Sequence, residues 1–285
     1  MKLFWNTNKE ISSFWGNYHL KNSKKWIYEL LENVEFEEVE KITNDISNQK
    51  IIIVDSEIPK KQNFYLNLFK NFKDIYLFHL GDEGGREYNE SFYSNFKHIF
   101  RPFYLNKFST NKKITPIPIG YKTGFDNKVI DVSNKKYVWS FMGTIHGASR
   151  FDLIHQFQDI KPNFINVTKK FSGEKTLSSK EYYDVLKNCI FSFVPHGYIH
   201  PETYRLYESL ECGSIPIIEN PYNFFNTIYP NNPFYSISIW SEGNKIIKEL
   251  IDNKKKLNQV SNEILHWWQE YKKVLKKNIS KKINV

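Results

Sequence analysis

Two cysteines, Cys189 and Cys212, are all that the 285 residues contain, and neither belongs to a C-x-x-C pair or to a His/Cys cluster at zinc spacing. A reduced intracellular compartment is the economical reading, and no structural metal site is expected. No stretch approaches the roughly 18 consecutive apolar residues that a membrane-spanning helix needs. The opening MKLFWNTNKEISSFWGNYHL has no uninterrupted apolar run of the kind a signal peptide carries. A convincing Asp-x-Asp motif on a loop is also missing, so no divalent-ion site is expected. Internal repeats and low-complexity linkers are absent as well. The expectation is a cytoplasmic protein, peripheral at most at the inner face of a membrane.

What is present suffices for a folded core. Hydrophobic residues make up 40% and aromatics 17% of the chain, which rules out disorder by composition for most of it. The length fits one large domain or two ordinary ones. The net charge is +9, yet residues 245–285 hold eleven lysines and four acids, so the body is nearly neutral. A nucleic-acid enzyme would spread positive charge along its body. Here the excess sits in one terminal element, which fits a solvated helix face or an anionic surface, and no nucleic-acid partner is expected.

Short apolar runs of strand length alternate with helical spacing. IIIVD (51–55), IYLFHL (75–80), YVWSFMG (137–143), FINV (164–167), CIFSFVP (189–195) and SIPIIE (214–219) read as strands. KITPIPIG (113–120) reads as an extended segment whose prolines argue against a central place in a sheet. Residues 62–72, 151–160, 178–188 and 201–212 read as helices. Alternation of this kind implies parallel sheets with crossover helices, hence the α/β class. The polar stretch Asp126 to Lys136 marks the expected boundary between two Rossmann-like halves, residues 1–132 and 133–285. From Lys255 to Ile279, Leu257, Val260, Ile264, Trp267, Trp268, Tyr271 and Leu275 form one apolar stripe with lysines opposite. A helix docked on the body explains that stripe; membrane contact is the alternative.

The segment PHGYIHPETYRLYESLECGSIPIIEN (195–220) is the most informative. A strand ends at Pro195, a glycine-containing loop follows, a helix starts near Pro201, and Gly213 closes it before a buried strand. In such units ligands bind beyond the carboxyl ends of strands and near helix N-termini. Arg205 and Glu208 stand three apart on one helical face. The guanidinium suits phosphate oxygens and the carboxylate suits two vicinal ribose hydroxyls. A surface Arg–Glu pair of little energetic value is the competing reading.

The ordered set Pro195, Gly197, Tyr198, Arg205-Leu-Tyr-Glu208-Ser-Leu210, Cys212-Gly213-Ser-Ile-Pro216-Ile-Ile218 resembles the donor-binding part of exostosin-like glycosyltransferases (family 47). Phe141-Met-Gly143 followed by Ser149-Arg150 is similar to the start of that family's C-terminal domain. HLGDE (79–83), the Arg101 region and IPIGYKTGF (117–125) are similar to its ribitol-xylosyltransferase branch. The resemblance implies a GT-B fold, two Rossmann-like domains facing a cleft, and an inverting transfer that requires no metal and no cofactor beyond the nucleotide sugar. It implies a UDP-sugar donor and a glycan or lipid-linked acceptor in surface polysaccharide or glycolipid synthesis. By carry-over, Glu208 binds the ribose and Arg150 and Arg205 neutralise the diphosphate. Gly143 and Gly197 let backbone amides approach the phosphates, with Pro195, His196 and Tyr198 on the same loop. His200 stands eight positions before Glu208, where retaining enzymes carry a second glutamate, and this favours inversion. Glu211 replaces the usual alanine without an evident reason.

An inverting transferase needs a base for the acceptor hydroxyl. Asp82 and Glu83 follow the strand 75–80 and are the catalytic candidates; Asp55 and Glu57 follow strand 51–54 in the same manner. Asp next to Gly also marks an ordinary turn. His79, His146, His196 and His200 read as structural or supporting groups, the last two flanking the phosphate loop. Lys122 is either a phosphate or acceptor contact or a solvated side chain. An epimerase or hydrolase of the same fold, and a non-catalytic nucleotide- or carbohydrate-binding protein, remain the alternatives.

Overall fold

The computed structural model describes residues 1–7, 12–43, 48–125, 129–170, 175–220 and 222–284. Contacts divide the chain into two compact units, Met1–Ile119 with Lys272–Val285, and Gly120–Tyr271. The division falls at 119/120, where sequence reading put it at 132/133. Of the stretch expected to mark the boundary, Asp126, Asn127 and Lys128 lie outside the described residues.

The first unit is built on a six-stranded, wholly parallel sheet. In chain order it contains β1 (Lys2–Trp5), α1 (Phe14–Asn22), α2 (Lys24–Leu30), β2 (Glu37–Val39), β3 (Ile51–Asp55), α3 (Gln62–Asn71), β4 (Ile75–His79), α4 (Glu90–Tyr93), β5 (His98–Arg101) and β6 (Ile114–Pro116). The spatial order is β2-β1-β3-β4-β5-β6. Every residue of β3 and β4 is buried, as parallel strands covered on both faces require. One side of the sheet packs Tyr65, Leu68 and Phe72 of the α3 region against Ile51, Ile53, Ile75 and Leu77. The proline-bearing segment 113–120 supplies β6 at the sheet edge, where a missing N–H costs no ladder bond.

The second unit holds a five-stranded parallel sheet. Its elements are β7 (Tyr137–Thr144), α5 (Ala148–Phe157), β8 (Asn163–Thr168), α6 (Ser179–Leu186), β9 (Cys189–Val194), α7 (Tyr204–Glu211), β10 (Ile215–Glu219), α8 (Phe224–Ile228), β11 (Tyr235–Ile237), α9 (Trp240–Asp252) and α10 (Lys254–Asn284). The order β11-β10-β9-β7-β8 reverses direction between β7 and β9. This topological switch point is where open α/β sheets bind ligands. The helix expected from Pro201 begins only at Tyr204, with Thr203 as its cap residue. Gly213 ends it with φ +61, the left-handed geometry that favours glycine.

α10 is longer than its sequence pattern suggests, and its apolar stripe is inward. Leu257, Ile264, Trp268, Leu275, Ile279 and Ile283 are buried. Within the second unit Trp268 lies 5.7 Å from the Tyr207 ring and Trp267 lies 4.8 Å from Phe234. Trp268 Nε1 donates to Glu211 Oε1 at 2.7 Å, which gives Glu211 its reason: it anchors α10. From Lys272 onward the helix belongs to the first unit. There Lys272 pairs with Glu29 at 2.9 Å, Lys276 pairs with Glu32, and Ser280 Oγ donates to Asn33 O at 2.9 Å. Trp268 is buried and Trp267 partly buried against the second unit.

Candidate functional site

At the switch point of the second unit, the carboxyl ends of β7 and β9 carry Gly143–Thr144 and Pro195–Gly197. Gly143 has φ +148. A Cβ there would stand 3.2 Å from Arg205 Nη2, so the guanidinium lies directly over the backbone. Arg205 Nη2 donates to Met142 O at 2.7 Å, and its plane lies 5.2 Å from the Phe141 ring. Arg150 Nη1 donates to Thr144 O at 3.1 Å and Nη2 to His196 O at 3.2 Å, while its buried Nε has no hydrogen-bond partner. The two arginines thus hold the carbonyls on either side of Gly143. Among the described residues, neither makes an ion pair.

Two guanidinium groups held close without counter-ions repel each other. Burial, and then Arg205, lower the Arg150 pKa to about 9. An anion arriving here would relieve that repulsion and supply acceptors that backbone carbonyls only partly replace. The nearby carboxylate, Glu219, is already occupied. It accepts from Ser149 Oγ at 2.7 Å and from His196 N at 2.8 Å, and Ser149 Oγ in turn accepts from Trp240 Nε1 at 2.9 Å. Glu219 therefore fixes the start of α5 and the His196 loop, a role its sequence position at a strand end did not disclose.

The loop itself is tight. Gly197 N donates to His200 O at 3.0 Å, and a Cβ on Gly197 would overlap that same oxygen. His196 Nδ1 lies 3.1 Å from Gly197 O. His200 is 2% exposed and accepts from Glu202 N at 3.1 Å, which makes it a loop brace. Tyr198 is 81% exposed and meets the His146 ring edge-on at 5.7 Å.

Glu208 sits one turn beyond Arg205 but does not pair with it. It is 1% exposed, its Oε1 makes no hydrogen bond, and the nearest cation is Lys122 Nζ at 3.5 Å. Lys122 also lies 4.6 Å above the Tyr182 ring. Burial and then the Glu208 charge push the Tyr182 hydroxyl up to about 12. A buried carboxylate oxygen without a donor is costly and demands a partner. The competing reading, an exposed Arg–Glu pair, does not hold for this helix. Lys122, Arg205, Glu208 and Tyr182 form one charged cluster beside the Arg150 loop.

Residues 120–285, more than half of the chain, match the protein family described as RXYLT1 C-terminal domain. The chain belongs to that family. Over 190 residues it is 26% identical to ribitol-5-phosphate xylosyltransferase 1 of Mus musculus, covering 58% of this chain and 43% of the relative. The Homo sapiens protein of the same name is 26% identical over 192 residues, 56% of this chain and 42% of the relative. The chain spans less than half the length of these curated relatives. Among solved structures it is similar to a DNA-modifying β-glucosyltransferase studied with and without uridine diphosphoglucose (TM-score 0.57, 13% identity, all of both chains). It is likewise similar to Anabaena HepE in complex with UDP (TM-score 0.56, 11% identity, 98% of each chain). At such identities the likeness is one of fold, and the fold is GT-B.

In the first unit the strand-end carboxylates named as catalytic candidates are bonded to neighbouring groups. Asp82 has φ +65. Its Oδ1 accepts from Arg86 N at 2.6 Å, and its Oδ2 lies 3.3 Å from the fully buried Arg101 Nη2, which also donates to Asp82 O. Both carboxylate oxygens are engaged in holding a turn and a buried guanidinium. Glu83 is half-buried in the same turn. Asp55 is saturated by Lys61 Nζ (2.7 Å), Tyr65 Oη (2.6 Å), Asn6 Nδ2 (2.7 Å) and Ser56 N (2.7 Å). Glu57 Oε2 accepts from Ser13 N at 2.6 Å. Glu87, which the sequence reading did not single out, stands half-buried beside His79.

Proposed function

We propose that the protein is a glycosyltransferase that takes a sugar from a nucleoside diphosphate sugar, with the donor held by the second unit. The observation that carries this reading is the pair Arg150 and Arg205 around Gly143 at the sheet's switch point, two guanidinium groups that make no ion pair among the described residues. Beside them Glu208 offers a buried carboxylate whose Oε1 makes no hydrogen bond and has Lys122 Nζ 3.5 Å away. A diphosphate meets the first and ribose hydroxyls meet the second. UDP bound to the Anabaena relative of the same fold favours uridine as the nucleoside, and the curated relatives' names point to xylose as the sugar and ribitol 5-phosphate as the acceptor class. The exostosin-like assignment of the 195–220 segment rests on the same residues.

Inversion is the stereochemical reading, because the position eight before Glu208 is the buried loop brace His200 rather than a carboxylate. The diphosphate charge falls to arginines instead of a divalent ion. The test is incubation with UDP-xylose, UDP-glucose and UDP-galactose, each with and without ribitol 5-phosphate, in the presence of EDTA. Acceptor-dependent UDP release that survives EDTA supports the reading. UDP release without acceptor points to a hydrolase or epimerase, and binding without release points to a non-catalytic protein.

A further inference from the structure

Within the second unit, Ile145, His146 and Gly147 connect β7 to α5, and residues 195–203 connect β9 to α7. Arg150 fastens these two loops together, Nη1 to Thr144 O and Nη2 to His196 O. Two residues further along each loop they are joined again, where the His146 ring meets the Tyr198 ring edge-on at 5.7 Å. The imidazole therefore belongs to the same loop pair as the guanidinium. Gly147 beside it has φ +134, and a Cβ there would meet nothing within 4 Å, so the space next to the loop is open.

Three histidines lie on these loops, and two are committed. His196 Nδ1 lies 3.1 Å from Gly197 O, and His200 accepts from Glu202 N. His146 is exposed, and its ring makes no hydrogen bond among the described residues. The groups that face it are Arg150 from α5, Arg205 from α7 and Tyr198 from the β9 loop. Glu219, at the end of β10, is taken up by Ser149 Oγ and His196 N. Burial, and then Arg150 and Arg205, hold the imidazole below its usual pKa, and no carboxylate among the described residues offsets them. A histidine in this setting is neutral while the site is empty and gains a proton when an anion arrives.

We propose, resting on the donor reading above, that His146 is a third ligand of the donor diphosphate and binds it as an imidazolium. The diphosphate of a sugar nucleotide carries about two negative charges, which two arginines match, whereas free UDP carries about three near neutral pH. The third charge arises in the transfer itself. The bond between the anomeric carbon and the phosphate oxygen breaks, and that oxygen keeps the electron pair. His146 takes one proton from solvent and supplies the third positive charge. Tyr198, in edge contact with the ring, holds it in place from the neighbouring loop.

The experiment is calorimetric titration of UDP into the full chain at about pH 7.5, in two buffers of different ionisation enthalpy. The difference in heat gives the protons taken up per UDP bound. At this pH Arg150, lowered to about 9, is already charged, and the terminal phosphate of UDP is already ionised, so neither supplies the uptake. The wild type should take up about half a proton or more. His146→Gln should abolish the uptake and weaken UDP binding about tenfold, the worth of one charge-assisted hydrogen bond, with Tm unchanged. His146→Lys carries its charge beforehand, so it should bind UDP within about threefold of wild type and take up no proton. It decides the matter if His146→Gln does not fold. Wild-type binding without proton uptake, or uptake that survives in either variant, overturns the assignment. So does a His146→Lys variant as weak as His146→Gln, which would leave His146 only its ring contact with Tyr198. A wild type that binds no UDP overturns the donor reading, and this assignment with it.

Discussion

Arg150 and Glu87 are each held in a state that an isolated side chain in water would not choose, chiefly through desolvation. Arg150 is lowered to about 9 and Glu87 raised to about 7, while Glu208 Oε1 lacks a donor. Such groups gather where a ligand completes them. Three histidines obey the same physics without a ligand. His79, His19 and His98 are lowered to about 3, 4 and 4, each chiefly by burial. A histidine whose folded pKa is depressed binds fewer protons folded than unfolded below about pH 6.5, so its stabilisation is lost as the pH falls through that window. Glu87 works oppositely, since its raised pKa means stability lost as the pH rises from about 4.5 to 7. By about pH 5 each histidine costs about 2 kcal/mol relative to neutral pH, against about 2–3 kcal/mol regained from Glu87. The histidines win in sum. Thermal unfolding should therefore show a lower Tm at about pH 5 than at about pH 7; an equal or higher Tm would contradict these burial assignments.

Among the elements, α10 shows what the pattern could and could not disclose. The stripe from Leu257 to Leu275 is legible as a docked helix because its period is 3.6. The further turn holding Ile283, 0% exposed, lies past the end of the pattern at Ile279, and lysines surround it. Similarly, β3, β4, β7, β9 and β10 are legible as buried apolar runs, whereas β2 and β11, three residues each, are too short to leave a pattern. α7 was legible, but its start was displaced by Pro201, a residue that favours a first helical turn yet here precedes the cap. Because Ile279 is fully buried in the first unit, Ile279→Ala removes a side chain from a packed interior. The expected cost is about 2–5 kcal/mol, read as a lower midpoint in urea unfolding. A midpoint unchanged from wild type would mean that the last turns of α10 do not hold the unit.

At the scale of the whole molecule, two parallel doubly wound sheets and membership of the RXYLT1 C-terminal domain family give the frame. The chemistry depends on which side chains are left unsatisfied. The family resemblance assigned Gly143, Arg150, Gly197, Arg205 and Glu208 to the donor, and the structure gathers them at one switch point. The sequence could not reveal that Asp82 and Asp55 are consumed by Arg101, Lys61 and Tyr65, because those partners are fixed only by the tertiary packing of the first unit. For the same reason Glu87, which follows an unremarkable Gly-Gly-Arg turn, carried no signal. The most direct test of the central claim is calorimetric titration of UDP into the full chain and into Arg150→Ala, Arg205→Ala and Glu208→Gln. Charge-assisted hydrogen bonds of about 1.5–3 kcal/mol predict that each substitution weakens binding by about 10–100-fold with folding intact. UDP affinity unchanged in all three folded variants would contradict the account.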